Sequence, residues 1–292
     1  MNEPRRQRRG RRATVAWCVY DWANSAFPAI ITTFVFAPYF VKAVAENEID
    51  GTAQWGWAVT ASALVVALLS PPLGAIADAG GPRKPWLAAL TGLAVVSCFL
   101  LWFVRPTSDD VLYALVIFAA ANVSFEFATV YYNAMLPDIA PADRIGRVSG
   151  WGWGLGYAGG LICLLIVLFG FVRADPLPFG LDRESLEHVR VVGPISALWY
   201  GVFALPLFWF VPDRRSRGLA AAEAVRRGLA NLRQSLVEIR RYRNIVRFLL
   251  ARMIYTDGLN TLFAFGGIYA AGTFGMDTAE IIMFGIALNA TA

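Results

Sequence analysis

Histidine and cysteine are scarce in this 292-residue chain: one histidine, His188, and three cysteines, Cys18, Cys98 and Cys163. The cysteines form no C-x-x-C pair and each lies in an apolar segment, so each reads as a buried, inert thiol. Neither a structural disulfide nor a zinc site is implied. A lone histidine in a charged loop cannot by itself anchor a catalytic triad or a metal cluster. No G-x-x-x-x-G-K-[S/T] loop is present to cradle a nucleotide. Enzyme chemistry, metals and cofactors are therefore not expected. Charge is also thin, at 16% of residues against 57% hydrophobic. Runs of about 20 apolar residues recur, which excludes a large soluble core and points to a chain that crosses a bilayer many times.

Hydrophobic spans are expected at about 14–45, 54–77, 86–104, 111–135, 147–172, 191–212 and 246–272, with an eighth beginning near 279. The first is long enough to tilt or bend, and Pro28 and Pro38 are its bend points. The net charge of +5 is unevenly placed. Twenty Lys and Arg fall on the side of the N-terminus and only five on the other, with Arg252 inside a span. The positive-inside rule puts the N-terminus and the linker after the sixth span in the cytoplasm, so nucleic acid is not the implied partner. The basic stretch Arg5–Arg12 is not read as a signal peptide. The apolar run after it is too long, contains Asp21 and Asn24, and shows no clear small-residue cleavage site.

The chain divides into a basic tail (1–13), a six-span half (14–212), a linker (213–245) and the first helices of a second half (246–292). Val225, Leu229, Leu232, Leu236 and Ile239 recur at helical spacing in the linker, with arginines between them. That pattern predicts a basic amphipathic helix on the inner membrane surface. Ile281–Ala292 is too short to cross a bilayer of about 30 Å, so the expectation is a fragment of a protein with about twelve spans.

Polar residues inside the spans carry the functional reading. Asp21-Trp-Ala-Asn24-Ser25-Ala-Phe27 and Asp257-Gly-Leu-Asn260-Thr261-Leu-Phe263 both read D-x-x-N-[S/T]-x-F, in the first and seventh spans. An intramembrane carboxylate is costly and marks a site by default. A repeated one suggests two similar halves with the site between them. In the fourth span Asn122 and Glu126 are four apart and share a helix face, and Arg252 precedes Asp257 by five residues. One reading is a polar cavity lined by spans one, four and seven, in which Asp21, Glu126 or Asp257 binds and releases a proton as an arginine or a substrate amine moves. The other is interhelical glue, with Asp21 bonded to Arg147 and Asp257 to Arg252.

Between the second and third spans stands Gly74-Ala-Ile-Ala-Asp78-Ala-Gly-Gly81-Pro-Arg83-Lys84, which fits G-x-x-x-D-x-x-G-x-R-[K/R]. It resembles the signature loop of the major facilitator superfamily, in the position where that loop belongs. The resemblance implies an all-α polytopic fold and a cytoplasmic gate that stabilises the outward-facing state. Asp138, Arg144 and Arg147, with Asn133 and Asp143, cluster around the next cytoplasmic loop and are expected partners of Asp78 and Arg83. Three further stretches, Tyr20–Phe27, Tyr132–Asp138 and Val148–Gly160, together resemble the vacuole-effluxer-like branch, whose fungal members export amino acids from the vacuole. Gly152, Gly156 and Gly160 share one face of the fifth span and suit close helix packing. They are similar to the antiporter motif of some facilitators, with Tyr157 in place of its proline.

Taken together, these residues imply a secondary transporter in the lipid bilayer, expected as a monomer in a bacterial cytoplasmic membrane. It would move a small polar metabolite such as an amino acid, outward and with proton coupling. The alternative is a non-transporting sensor or scaffold built on the same fold.

Overall fold

The computed structural model describes residues 3–78, 82–213 and 242–291, with isolated positions between 223 and 238. Side-chain surroundings are described from Gly10 onward and stop short of 75–78. Gly81, the surroundings of Asp78 and most of the linker's apolar stripe thus lie outside the described residues. Among the described residues all regular structure is helical. The principal helices are α1 (Glu3–Asn24), α2 (Glu48–Asp78), α3 (Lys84–Leu100), α4 (Val111–Ile139), α5 (Ile145–Val167), α6 (Val192–Phe210), α7 (Arg243–Phe274) and α8 (Thr278–Thr291). Six are long and apolar enough to cross a membrane by length and composition.

The first span continues past α1 as wide helical turns, Phe27–Phe34 and Phe40–Val44, around a short helix Phe36–Tyr39. The cause is local. Pro28 and Pro38 have no N–H to give to the carbonyls of Asn24 and Phe34, so the regular ladder opens before each. The chain recovers with i→i+5 bonds, Val35 N to Ile30 O at 3.1 Å and Ala45 N to Phe40 O at 3.0 Å. This span, Gly10–Val44, is 78% buried over its most apolar window, against 11% for the second. It is therefore the axis around which the others pack.

α1 packs on α5 and α6, α3 on α4 and α6, and α2 on α4. Reciprocal contacts pin α1 to α4: Trp17 Nε1 donates to Tyr132 O and Tyr132 Oη donates to Trp17 O, each at 3.1 Å. The two rings stack at 4.3 Å. A buried hydroxyl triad ties α1, α3 and α6, with Tyr20 Oη 2.6 Å from Thr91 Oγ1 and 2.9 Å from Tyr200 Oη. Each hydroxyl so placed satisfies another that water cannot reach.

The end of the bundle carrying the N-terminus, the start of α3 and the end of α4 is called the near end below, and the opposite one the far end. α7 and α8 meet the other helices at the far end. α7 lies along Phe27–Phe34 and Phe36–Tyr39, and α8 along α5. Lys42 Nζ donates to Met276 O at 2.9 Å, and a Cβ on Gly285 would lie 2.7 Å from the Phe34 ring. A Cβ on Gly267 would overlap the Thr33 carbonyl, so only glycine lets the backbones approach this closely. Toward the near end the side chains of α7 are exposed from Arg243 to Phe263, apart from Val246 and Leu259, which are half-buried among the described residues.

Candidate functional site

The first copy of the repeated motif sits in a fitted slot. Asn24 is 5% exposed, and Asp21 and Ser25 are half-buried between α1 and α5. The Tyr132 hydroxyl, whose proton goes to the Trp17 carbonyl, and the Asn24 side chain flank the Asp21 carboxylate. The wall opposite is glycine. A Cβ on Gly152 would stand 2.9 Å from Asp21 Oδ2, one on Gly156 2.7 Å from Ser25 Oγ, and one on Gly159 2.5 Å from the Trp22 carbonyl. Gly160 is less tightly held, 3.5 Å from the Ser25 carbonyl, so the working face is Gly152, Gly156 and Gly159. Sequence spacing identified the first two and passed over Gly159, which is seven residues from Gly152 and shares its face.

Tyr132 lies seven residues before the end of α4, which puts this slot about 10 Å inside the near end. Ser25 Oγ bonds the Asp21 carbonyl at 2.7 Å, so this hydroxyl serves its own helix. Glu126 and Asn122 are half-buried on α4 and make no hydrogen bond or ion pair among the described residues. The Phe125 ring beside Glu126 packs on Phe27 at 5.0 Å.

The second copy is differently placed. Asp257, Asn260 and Arg252 are exposed on α7. Thr261 Oγ1 bonds the Asp257 carbonyl at 2.8 Å, the same turn-to-turn bond as Ser25 makes. No ion pair joins Asp257 to Arg252 or Asp21 to Arg147 among the described residues. The cavity expected between spans one, four and seven is thus not closed by α7. α7 leans on the far half of the first span, so its near half stands away from Asp21.

At the near end Arg83 is 3% exposed and pairs with Asp138 at 2.8 Å. Its Nη1 also donates to the Ala134 carbonyl in the last turns of α4. Lys84 Nζ donates to Phe208 O at 2.8 Å. The carboxylate of Asp213, just past α6, accepts from Arg83 N at 2.9 Å and Lys84 N at 3.1 Å. It caps the start of α3 from outside, where unpaired N–H groups and the helix dipole favour an anion. Asp213 carries no local motif, so sequence reasoning passed over it. For Arg144 and Arg147, the expected contact with Asp78 lies outside the described residues. Both are exposed at the head of α5, and Arg144 lies 3.7 Å from its neighbour Asp143, while Arg83 reaches inward to α4 instead. Gly74 is half-buried with nothing within 4 Å of a Cβ placed on it.

The wide turns of Phe27–Phe34 and Phe40–Val44 stand out in the first span, since such turns are frequent at functional sites. Thr32 Oγ1, Gln54 Oε1 and Trp55 Nε1 are buried around them without a hydrogen-bond partner among the described residues. Pro28 and Pro38 were the available signal. The cysteines are all free and buried, and among the described residues no group of His, Cys, Asp and Glu gathers as a metal site.

A profile of the family described as "Vacuole effluxer Atg22 like" matches residues 44–147 and 140–292. The chain is 31% identical over 275 residues to an uncharacterized MFS-type transporter, YxiO, of Bacillus subtilis (strain 168), across 92% of this chain and 63% of that protein. It is 20% identical over 265 residues to autophagy-related protein 22 of Saccharomyces cerevisiae, across 77% of this chain and 49% of that protein. The chain thus spans between about half and two thirds of the length of these relatives.

Two solved structures share its fold. One is a bacterial homolog of the human lysosomal transporter Spinster in an inward-facing, unoccupied conformation, with a TM-score of 0.65 at 17% identity, covering 99% of this chain and 60% of that one. The other is the Escherichia coli xylose transporter XylE in a partially occluded inward-open conformation, at 0.56 and 16%, covering 96% and 70%. At such identities the likeness bears on the fold, which is that of the major facilitator transporters. With the family profile matching almost all of α2–α8, the chain belongs to the vacuole effluxer Atg22-like family.

Proposed function

We propose that this chain is the larger part of a secondary active transporter that moves a small polar metabolite across the cytoplasmic membrane by alternating access. The observation that carries the reading is the asymmetry between the two ends. Glycine-mediated contacts hold α7 and α8 against the first span at the far end. Toward the near end α7 stands away, and Asp257 and Asn260 are exposed. With 20 of the Lys and Arg on the near side, that side is cytoplasmic and the arrangement is inward-facing.

In this reading residues 14–212 form one half and 246–292 begin the second. Asp21, Asn24, Glu126 and Asn122 face the path from the first half, and Asp257, Asn260 and Arg252 from the second. Asp21 is the coupling carboxylate: with the Tyr132 hydroxyl beside it and Gly152 behind it, it exchanges a proton as the helices rock. The gate is the α2–α3 loop, Gly74 to Lys84, anchored within its own half by Arg83 on Asp138 and by Asp213 on the start of α3. Amino acids are the first substrates to try, and export is the direction, on the strength of the family's effluxer description.

The test is flux in proteoliposomes holding the full-length protein, scanned with amino acids while internal pH is recorded. Substrate-dependent proton movement that falls with Asp21→Asn supports the reading. Substrate binding without flux would make the protein a sensor. Flux indifferent to both Asp21→Asn and Asp257→Asn would remove the coupling role from these carboxylates.

A further inference from the structure

At the far end, away from α7 and the first span's polar slot, lies a recess of about 770 Å³ between the end of α3, the start of α4 and the short helix Glu187–Arg190. Its walls include Trp102, Phe103, Arg105, Asp110, Glu187 and Arg190. Arg190 is only 7% exposed, yet among the described residues no carboxylate lies within ion-pair distance of it. Its Nε and Nη2 donate to the Trp102 carbonyl at 3.1 and 2.6 Å, and its guanidinium lies 5.1 Å from the Trp102 ring centroid. Those contacts fix the guanidinium plane and leave Nη1 without a hydrogen bond among the described residues. A buried cation that lacks a counter-anion is costly, and the cost is relieved by an anion that enters from outside.

The other charges are held apart as well. Asp110 Oδ2 accepts from Arg105 N at 2.7 Å and Glu187 Oε2 from Asp182 N at 3.0 Å, which leaves Oδ1 and Oε1 open. Two cations and two carboxylates thus line one recess without pairing with each other. That is a site for a zwitterion with separated charges. The surface below it says which kind. Phe103, Phe99, Val96 and Leu93 form an exposed apolar strip along α3 at helical spacing, and Leu198, Val202 and Leu205 form another along α6. The Phe99 and Phe103 rings meet at 6.2 Å, which carries the α3 strip to the rim of the recess. Helix faces of this composition meet acyl chains, and Trp102 and Tyr113 lie where aromatic side chains mark the membrane–water boundary.

We infer that this recess binds the headgroup of a phospholipid from the far leaflet, with phosphate on Arg190 and Arg105, a primary ammonium on Glu187 and Asp110, and acyl chains on the α3 and α6 faces. The inference rests on the membrane placement of the helices and is independent of the transport reading. Bound lipid ties the α3–α4 turn to the segment before α6.

The test is native mass spectrometry of the purified chain in detergent. The probes are phosphatidylethanolamine, phosphatidylcholine and phosphatidylglycerol with matched acyl chains, and inorganic phosphate. One phosphatidylethanolamine per chain should be retained about fivefold better than phosphatidylcholine, which has no N–H to give a carboxylate, and better than phosphatidylglycerol, which has no cation. Arg105→Gln, at an exposed position, and Glu187→Gln, at a half-buried one, should each erase that preference. Arg190→Gln should do so more fully, and the first two variants keep the test valid if it unfolds. Equal retention of the three lipids overturns the inference, as does unchanged preference in Arg105→Gln and Glu187→Gln. Displacement of the lipid by inorganic phosphate would make the recess a free-anion site and overturn it as well.

Discussion

The two copies of D-x-x-N-[S/T]-x-F share a local structure and little else. In each, the hydroxyl four residues on bonds the aspartate's own carbonyl, at 2.7 Å for Ser25 and 2.8 Å for Thr261. In the first copy the aspartate then meets Tyr132 and the Cα of Gly152. In the second it is exposed. The difference comes from the neighbours: α5 offers Gly152, Gly156 and Gly159 to α1, whereas α7 meets the bundle through Gly267, ten residues beyond Asp257. A motif sets the helix turn, and the helix opposite sets whether its charge is enclosed.

The most severe way to break that comparison is to fill the slot. Gly159→Leu places a side chain against the Trp22 carbonyl and should cost on the order of 3 kcal/mol or abolish folding. Gly266→Leu, where nothing lies within 4 Å of a Cβ, should leave the unfolding midpoint in detergent unchanged. Equal losses would show that the α1–α5 slot is not special. Next, Asp21→Asn in the full-length protein should lower flux by about tenfold, as expected for an intramembrane ionisable group with a defined partner. Asp257→Asn should lower it less, because among the described residues that carboxylate meets no partner. Uptake assays on membranes with matched protein levels decide it.

Third, Asp213→Asn weakens the cap on α3 and should cost about 1 kcal/mol. Thermal unfolding in detergent reads the loss, and because the bonds come from backbone N–H groups it should remain when the Lys84 side chain is also replaced. The smallest effects belong to the matched hydroxyls. Ser25→Ala should cost about 1 kcal/mol because its oxygen also fills the space over Gly156, while Thr261→Val, on an exposed face, should stay within about 0.5 kcal/mol. Chemical denaturation of the two variants side by side gives the contrast directly.

The first six spans were legible because the bilayer demands long apolar helices, and length and composition report those directly; α7, expected to span at 246–272, is not among the six helices apolar enough to cross. α3 was expected at 86–104 and forms Lys84–Leu100 with one further turn to Phe103; the fifth span was expected at 147–172 and runs Ile145–Val172. The bend in the first span was readable from Pro28 and Pro38, but its form was not. Whether a proline makes a kink or a run of wide turns depends on the packing around Phe34 and Val35. Arg83 was readable as a gate residue from its loop. Its partner was not separable by sequence, because Asp138 and Asp143 both lie within one loop's reach and only the end of α4 decides which carboxylate it meets. Asp213 is 130 residues from Arg83, and nothing local at Pro212-Asp213 marks it as the cap of another helix. The same limit explains why the repeat suggested facing sites: it reports chain symmetry, while the enclosure of each copy is a tertiary property.

The wide turns of the first span have a consequence for hydrogen exchange. The most enclosed segment of the bundle is also the one whose backbone ladder is interrupted, at Asn24–Phe27 and again at Val35, where φ is −125° and ψ −62°. Protection against deuterium should therefore be discontinuous along the central helix. Amides of α1 from Ala16 to Asn24 should exchange last, and those near Val35 earlier, although Asn24 and Val35 are both buried. A peptide map with such a notch would mark the joint about which the two ends of the first span turn independently.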